Sequence, residues 1–255
     1  MSILALLSDI HGNLPALEAV LDDARDRAVD GIHHLGDLVG YGPWPDEVVR
    51  RIRGEGITGV AGNYDSTVAT GYPHCGCRYE DPTQEALSHA SYGWTREHVD
   101  ADTARWLERL PFRIDLQPGG GHRPGARVIL VHGTPTLNTL YWDENRSDDF
   151  SRRMVTKAGA RPGDVLAFGH THRPWRRTVE GVHLVNAGSV GRPKDGDPRA
   201  CYAVVTLDAE RVDVEHVRVA YDVERAAAAI RASELPDALA TVLETGGETV
   251  VGGAR

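Results

Sequence analysis

The chain has 255 residues, of which 41% are hydrophobic and 25% are charged, an ordinary composition for a globular protein with a sizeable core. Its 28 basic and 37 acidic residues give a formal net charge of −9. This balance argues against a non-specific nucleic-acid or membrane-surface binder, because such proteins usually need a basic surface.

Neither a signal peptide nor a disulfide framework is indicated. The apolar run at residues 3–7 is short, lacks a basic start and leads directly into Asp9, so it predicts a strand. No stretch is long and apolar enough to span a bilayer. The three cysteines, Cys75, Cys77 and Cys201, are an odd number, and two of them are separated by one residue. We therefore expect a cytoplasmic protein without a membrane partner. The sequence leaves open whether the protein forms a homo-oligomer.

The first quarter of the chain alternates apolar runs with amphipathic segments, which predicts alternating strands and helices. Strands are expected over residues 3–7, 32–35 and 57–61, with helices after the N-cap Asn13 and over residues 46–53. This alternation favours a parallel sheet with right-handed crossovers, in which ligands bind at the carboxyl ends of the strands. Each strand leads into a polar cluster, so one shared site is expected. The clusters are Ser8-Asp9-Ile10-His11-Gly12-Asn13, Gly36-Asp37 and Gly62-Asn63-Tyr64-Asp65.

Residues 66–111 interrupt this alternation and predict a helical insertion beside the site, in the manner of a partial lid. An irregular loop contains Cys75 and Cys77, and helices are expected over residues 81–98 and 101–110. The Cys-Gly-Cys loop could bind a third metal or be redox active, but we favour a structural or incidental role, because two cysteines alone are a weak zinc signal.

The rest of the chain is rich in predicted strands. The turn-rich residues 117–125 indicate a hairpin, and so does Glu180-Gly181. Without an internal repeat or a linker, residues 1–255 are expected to form one domain, with a frayed end from Gly246. The predicted strands cover residues 112–116, 126–131, 165–168, 177–179, 182–185, 200–207 and 212–219, and the predicted helices cover residues 149–158 and 223–231.

Three histidines follow two of these later strands. His132 comes after residues 126–131, and His170 and His172 come directly after residues 165–168 and Gly169. In an extended segment, residues two apart point the same way, so the imidazoles of His170 and His172 are expected to converge. Neutral imidazoles, carboxylates and amide oxygens together favour a transition-metal site.

The motifs Asp9-Ile10-His11, Gly36-Asp37, Gly62-Asn63, His132 and Gly169-His170-Thr171-His172, in this order, resemble the motif set of the calcineurin-like metallophosphoesterases. Within that superfamily, the chain is most similar to the compact bacterial and archaeal phosphodiesterase branch. The resemblance implies an α/β fold, a four-layer α/β/β/α sandwich, around a two-metal site. It implies that Asp9, His11 and His172 bind the first metal. It further implies that Asn63, His132 and His170 bind the second, with Asp37 as the bridge.

Such a site implies two divalent or trivalent transition-metal ions, namely Mn, Fe or Zn. A water shared by both ions would lose a proton near neutral pH and attack the phosphorus as hydroxide. We therefore expect a phosphoesterase that hydrolyses phosphodiesters or activated phosphate esters, with a small phosphorylated substrate, nucleotides included. One alternative is a phosphomonoesterase or a nucleotide or dinucleoside polyphosphate hydrolase at the same site. Another is a non-catalytic metal-binding protein of the same fold.

One position departs from the family pattern. Many members have histidine after the Gly-Asn pair, where it protonates the leaving oxygen or contacts the phosphate, and this chain has Tyr64. Tyrosine, with a usual pKa of about 10, is a poorer proton donor than histidine at about 6.5. Tyr64 and His74 remain the candidate catalytic groups. Asn63 and Arg173 are the candidate substrate-binding groups, and Arg192 and Lys194 are similar phosphate-attracting candidates or a solvated basic face.

Overall fold

Two five-stranded sheets carry the fold, and a computed structural model describes residues 1–79, 81–117, 126–208 and 211–247. The strands are β1 Ser2–Leu7, β2 Gly31–His34, β3 Thr58–Gly59, β4 Ile114–Leu116, β5 Val128–Leu130, β6 Val165–Phe168, β7 Trp175–Val179, β8 Val182–Asn186, β9 Ala200–Leu207 and β10 Val212–Val219. The helices are α1 Leu14–Asp26, α2 Pro45–Gly54, α3 Asn63–Ala69, α4 Pro82–His98, α5 Ala101–Leu107, α6 Asp148–Ala158, α7 Val223–Arg231 and α8 Ala238–Thr245.

The first sheet has the strand order β10-β9-β1-β2-β3. Strands β1, β2 and β3 run parallel, as the alternating pattern predicts, and β9 and β10 extend the sheet in antiparallel fashion. Helix α1 connects β1 to β2, and Asn13 caps it by accepting a hydrogen bond from the N–H of Ala16. The carboxyl ends of β1, β2 and β3 therefore lie along one edge of this sheet.

The second sheet has the order β4-β5-β6-β8-β7. Its central strands β5, β6 and β8 are parallel, and β4 and β7 pair with them antiparallel at the two edges. Both predicted hairpin pairs, β4 with β5 and β7 with β8, are confirmed. The predicted turn at residues 117–125 falls almost wholly on residues 118–125, which lie outside the described residues.

Three apolar clusters define four layers, because successive strand residues face opposite sides of a sheet. Leu4 and Leu6 of β1 point between the sheets, where they meet residues of β5, β6, β8 and β9. Ala5 and Leu7 point the other way, toward α1, α2, α7 and α8. On the outer face of the second sheet, Phe168 packs with residues of α6. The expected α/β/β/α sandwich is confirmed.

The insertion contains the predicted helix α4, which begins after its N-cap Asp81. Helix α5 ends at Leu107, earlier than predicted, because its last turn gives way to turn residues at positions 108 and 109. Helices α3 and α8 were not predicted. Among the described residues, none of the helices combines the length and apolarity needed to cross a membrane.

The end of the described chain is held in place. The carbonyl of Gly246 accepts a hydrogen bond from the N–H of Gly196, and Gly247 donates to the carbonyl of Val242. The predicted fraying from Gly246 is therefore wrong for Gly246 and Gly247, because these backbone bonds fix the C-terminus of α8 against the loop after β8. Residues 248–255 lie outside the described residues.

Candidate metal centre

The seven predicted ligands lie together at the carboxyl ends of the strands and are all buried. Loops after β1 and β2 supply three of them, the start of α3 supplies one, and loops after β5 and β6 supply the other three. This is the edge at which ligands bind in open parallel sheets. In chain order the seven are Asp9, His11, Asp37, Asn63, His132, His170 and His172.

Five of these seven residues have a left-handed backbone, a conformation that costs roughly 1–3 kcal/mol for a non-glycine residue. The φ angles are 52° at Asp9, 49° at His11, 54° at Asp37, 66° at His170 and 60° at His172. The expectation that His170 and His172 sit in an extended segment is therefore wrong. Each turns the chain sharply, and their imidazoles enter two different groups of side chains instead of pointing the same way. Strain concentrated in this manner is typical of functional sites.

The first group consists of Asp9, His11 and His172, whose ligand atoms lie within 4.8 Å of one another. The Nε2 atoms of His11 and His172 are 3.2 Å apart, and Asp9 Oδ1 lies 3.3 Å from His172 Nε2. That Oδ1 is buried and has no hydrogen-bond partner among the residues that the structure describes. The other oxygen of Asp9 is fixed by the Ser8 hydroxyl at 2.6 Å and the His170 N–H at 2.9 Å.

The second group consists of Asp37, His132 and His170. His132 Nε2 lies 3.2 Å from His170 Nδ1 and 3.1 Å from Asn63 Oδ1, so the Asn63 amide oxygen faces the same point. Asp37 lies between the groups. Its Oδ2 is 3.5 Å from His132 Nε2 and 3.7 Å from His11 Nε2, and its Oδ1 accepts the Tyr64 N–H.

Backbone carbonyls decide which ring nitrogens face inward. The Nδ1 atoms of His11, His132 and His172 lie 2.9, 2.7 and 2.6 Å from the carbonyl oxygens of Val39, Leu35 and Arg192. A carbonyl can only accept, so each Nδ1 carries the proton in a neutral ring and each Nε2 presents a lone pair. A hydrogen bond from the other ring nitrogen to a carbonyl commonly orients a metal-binding histidine.

In neutral rings the inward atoms are therefore acceptors, which repel one another unless a proton or a metal cation lies between them. Burial lowers the pKa of His11 to about 4 and that of His170 to about 3, and it lowers the pKa of His172 well below its usual value. Burial also acts to lower the pKa of His132, but the charge and hydrogen bond of Asp37 outweigh it and raise that pKa to about 9. This donor set of imidazoles, carboxylates and an amide oxygen fits two transition-metal ions.

Glycines permit the close approach of these loops. A Cβ atom on Gly62 would overlap the carboxylate of Asp37, and one on Gly169 would overlap the Ser8 hydroxyl and the Asp9 carboxylate. The glycine before Asn63 and the glycine before His170 are therefore required by space. This is a physical reason for the Gly-Asn and Gly-His pairs that the sequence displays.

Asp65 holds two of the loops together. Its Oδ2 accepts the N–H groups of Asp37 (2.8 Å) and Gly62 (3.0 Å), and its Oδ1 accepts those of Leu38 (2.8 Å) and Val39 (3.4 Å). The side chain is fully buried. Asp65 thus fixes both Asp37 and the start of α3, although it is not one of the seven.

The Cys-Gly-Cys loop orients the Asn63 amide, a role that sequence reasoning missed. Asn63 Nδ2 donates to the carbonyl of Cys75 at 3.1 Å and to the Sγ of Cys77 at 3.2 Å, which turns its Oδ1 toward His132. Neither cysteine belongs to the two candidate ligand groups found within the described residues. This contact supports the structural role predicted for the loop.

The two candidate catalytic groups lie outside the ring of inward-facing atoms. Tyr64 is buried, and its hydroxyl lies 2.7 Å from the Ser88 Oγ of α4, with its ring edge-on to His11. Burial raises its pKa well above the usual value. His74 is exposed and accepts the N–H of Gly76. In the described part of the chain it has no hydrogen bond, ion pair or ring contact with the seven.

The predicted substrate-binding residue Arg173 is exposed, and its Nε donates to the carbonyl of Lys194 at 2.8 Å. Arg173 therefore contacts the loop after β8 rather than the seven. Asn63, the other candidate, is one of the seven.

The fold and this site define a class of protein. The family model of the calcineurin-like phosphoesterase superfamily domain matches residues 1–210, and the chain belongs to this family.

Particular relatives agree with this assignment. The chain is 31% identical to the uncharacterized protein MJ0912 of Methanocaldococcus jannaschii, over 92% of this chain and 95% of the relative. It is 28% identical to the phosphodiesterase YfcE of Escherichia coli K12, over 82% of this chain and 89% of that protein. A crystal structure of a metallophosphoesterase from Sphaerobacter thermophilus matches with a TM-score of 0.72 and 31% identity, covering 96% of this chain and 99% of that chain.

Proposed function

We propose that this phosphoesterase is a dinuclear metal enzyme that hydrolyses phosphodiesters or activated phosphate esters. The observation that carries the proposal is the set of buried ligand atoms, from imidazoles, a carboxylate and an amide, that face one another at 3.1–3.3 Å. Asp9, His11 and His172 hold one ion. Asn63, His132 and His170 hold the other, and Asp37 faces both.

Bound Mn, Fe or Zn ions supply Lewis acidity, which makes a water nucleophilic near neutral pH and offsets the charge on the phosphate oxygens. The chain's own residues have three tasks. Val39, Leu35 and Arg192 orient the imidazoles through their carbonyl oxygens, and Asp65 fixes the loop of Asp37. The two carboxylates of the site, from Asp9 and Asp37, offset part of the metal charge.

The surroundings of Tyr64 favour substrates with good leaving groups. The Tyr64 hydroxyl is engaged by Ser88, and its pKa is raised by burial, so it is poorly suited to protonate a leaving oxygen at neutral pH. Esters and anhydrides whose leaving group departs without protonation place the least demand on such a site. The phosphodiesterase name of the relative YfcE makes a diester the first substrate to test.

The test is metal content and turnover of bis-p-nitrophenyl phosphate with Mn²⁺, comparing the wild type with Asp37→Asn. The control variant is Asp22→Asn, a carboxylate that is 73% exposed on α1. We expect two ions per wild-type chain. Asp37→Asn should lose at least one ion and more than about 100-fold in turnover, since breaking a buried charge network costs about 3–5 kcal/mol. The control should match the wild type.

Two results would contradict the proposal. A wild-type protein that binds no metal under metal-replete conditions would remove its basis, and so would an Asp37→Asn variant as active as the wild type. Bound metal without turnover of any diester, monoester or nucleotide would instead favour the non-catalytic alternative. Turnover confined to monoesters or nucleotides would favour the phosphomonoesterase or polyphosphate hydrolase alternative.

A further inference from the structure

Arg192 is a buried cation without a counter-charge. It lies in the loop after β8, is 3% exposed, and is the one buried arginine among the described residues. Within that part of the chain it forms no ion pair. Its guanidinium donates to Gln84 Oε1 at 3.3 Å and lies 4.1 Å from the centre of the Tyr41 ring. A buried charge that lacks a partner is costly, so an arginine in this setting is suited to receive an anion.

The other arginines make the contrast clear. Those that also lack an ion pair within the described residues are exposed, where water solvates the charge at little cost. They are Arg78, Arg96, Arg109, Arg146, Arg153, Arg161, Arg173 and Arg211.

Arg192 adjoins the first group of candidate ligands. Its carbonyl accepts the Nδ1–H of His172, and the Tyr41 ring under its guanidinium packs edge-on to His11 at 4.8 Å. The guanidinium therefore packs on the same ring as a ligand of the first group.

Lys194 adds a second basic side chain to the same loop. Its N–H donates to the His172 carbonyl at 3.4 Å, and it forms no ion pair in the described ranges. Within the described residues, neither Arg192 nor Lys194 therefore has a carboxylate partner.

The balance of charge at the site favours substrates that carry more than one negative charge. Two divalent ions already exceed the charge of the two carboxylates, Asp9 and Asp37, and Arg192 adds to the excess. A phosphodiester brings only one negative charge to such a site, whereas an anion with several charges compensates it more fully.

We propose that Arg192 and Lys194 form a subsite for a second anionic group of the substrate, a phosphate or carboxylate next to the phosphoryl group bound at the metal centre. This inference rests on the proposed function and narrows its substrate class. Phosphoanhydrides, and esters that carry a further phosphate or carboxylate, fit the site better than simple diesters.

Equilibrium binding to metal-loaded protein, freed of excess ions, tests the subsite by isothermal titration calorimetry. The probes are methylenediphosphonate, which carries two anionic groups and is not hydrolysed, and methylphosphonate, which carries one. We expect Arg192→Gln and Lys194→Gln each to weaken diphosphonate binding by about 10- to 100-fold, the value of a hydrogen bond to a charged group. Methylphosphonate binding should change by less than about threefold in the same variants.

Arg199→Gln is the matched control, because Arg199 is exposed, follows the same loop and is paired with Asp197. It should bind both probes like the wild type, which separates a subsite from a general loss of positive charge. Arg192→Lys keeps the charge and should retain most of the diphosphonate affinity. Thermal melting of each variant shows whether it is folded, and Lys194→Gln still reads the subsite if Arg192→Gln is unstable.

Two outcomes would overturn the subsite. Equal weakening of both probes would mean that the cations contact the phosphoryl group at the metals, and unchanged binding would mean that they contact neither. Failure of the proposed function is a separate result. The wild-type protein could hydrolyse no phosphate ester while Arg192→Gln still weakens the binding of methylenediphosphonate and not that of methylphosphonate. In that case the subsite would stand and the proposed enzymatic function would not.

Discussion

Replacing Asp65 with asparagine tests whether this buried carboxylate positions the metal centre. The side chain accepts four backbone N–H groups, two on each oxygen. In Asp65→Asn, one oxygen becomes an NH2 group, which cannot accept. Whichever way the amide turns, two N–H groups lose their acceptor, either those of Asp37 and Gly62 or those of Leu38 and Val39.

The magnitude follows from these two lost acceptors. Each buried N–H left unsatisfied costs about 1–3 kcal/mol, so Asp65→Asn should lower the free energy of unfolding by about 2–6 kcal/mol. A domain of this kind has a total stability of about 5–15 kcal/mol, so the variant should be marginal but foldable. Because the same N–H groups fix the backbone of Asp37, the folded fraction should also bind metal more weakly.

Urea unfolding of the metal-free protein measures the first effect, and metal content per folded chain measures the second. Asp164→Asn is the matched control. Asp164 is also buried, accepts the N–H groups of Arg127 and Arg161, and precedes β6 at the end opposite the site. It should lose stability and keep its metal. The reasoning fails if Asp65→Asn is as stable as the wild type, or if it loses metal no more than Asp164→Asn does.

Two further predictions concern protons. Tyr64→Phe should keep the turnover of p-nitrophenyl esters within about threefold and lower the free energy of unfolding by about 1 kcal/mol, because the hydrogen bond to Ser88 is lost. A 100-fold loss of turnover with a changed basic limb of the pH profile would instead make the hydroxyl a proton donor. In metal-free protein, His132 is protonated below its pKa of about 9, so metal binding must displace that proton. Metal affinity should rise about tenfold per pH unit between pH 7 and 9, and calorimetry in buffers of different ionisation enthalpy should detect proton release. An affinity independent of pH would contradict this assignment.

Several elements have the bounds that the sequence predicts. Strands β6, β9 and β10 have the predicted bounds, and so does helix α7. Residues 165–168 are apolar throughout and every one is buried, so nothing competes with the strand pattern. Where the apolar signal is short, the bounds shift. Strand β3 covers only Thr58–Gly59 of the predicted residues 57–61, and within the described residues it pairs only with β2 at the edge of the sheet.

Helix α3 shows why other parts of the fold escape prediction. It begins at Asn63 inside a polar cluster, has seven residues, and is started by backbone and Asp65 contacts around Gly62. A helix so short has no apolar stripe long enough to detect. The left-handed backbone of His170 and His172 could not be predicted from the sequence either, because histidine rarely adopts this conformation without tertiary contacts that enforce it.

The sequence likewise predicts only part of the candidate site. The resemblance of five motifs names seven side chains, and the structure brings all seven into one buried cluster. The groups that orient the imidazoles could not be predicted from the sequence. They are the backbone carbonyl groups of Val39, Leu35 and Arg192, and every residue type has such a group. The position that departs from the family pattern is explained only by distant contacts. The Tyr64 hydroxyl is hydrogen-bonded to Ser88, which lies 24 residues later in the chain. Tyrosine in place of the family histidine therefore also forms a hydrogen bond that links the start of α3 to α4.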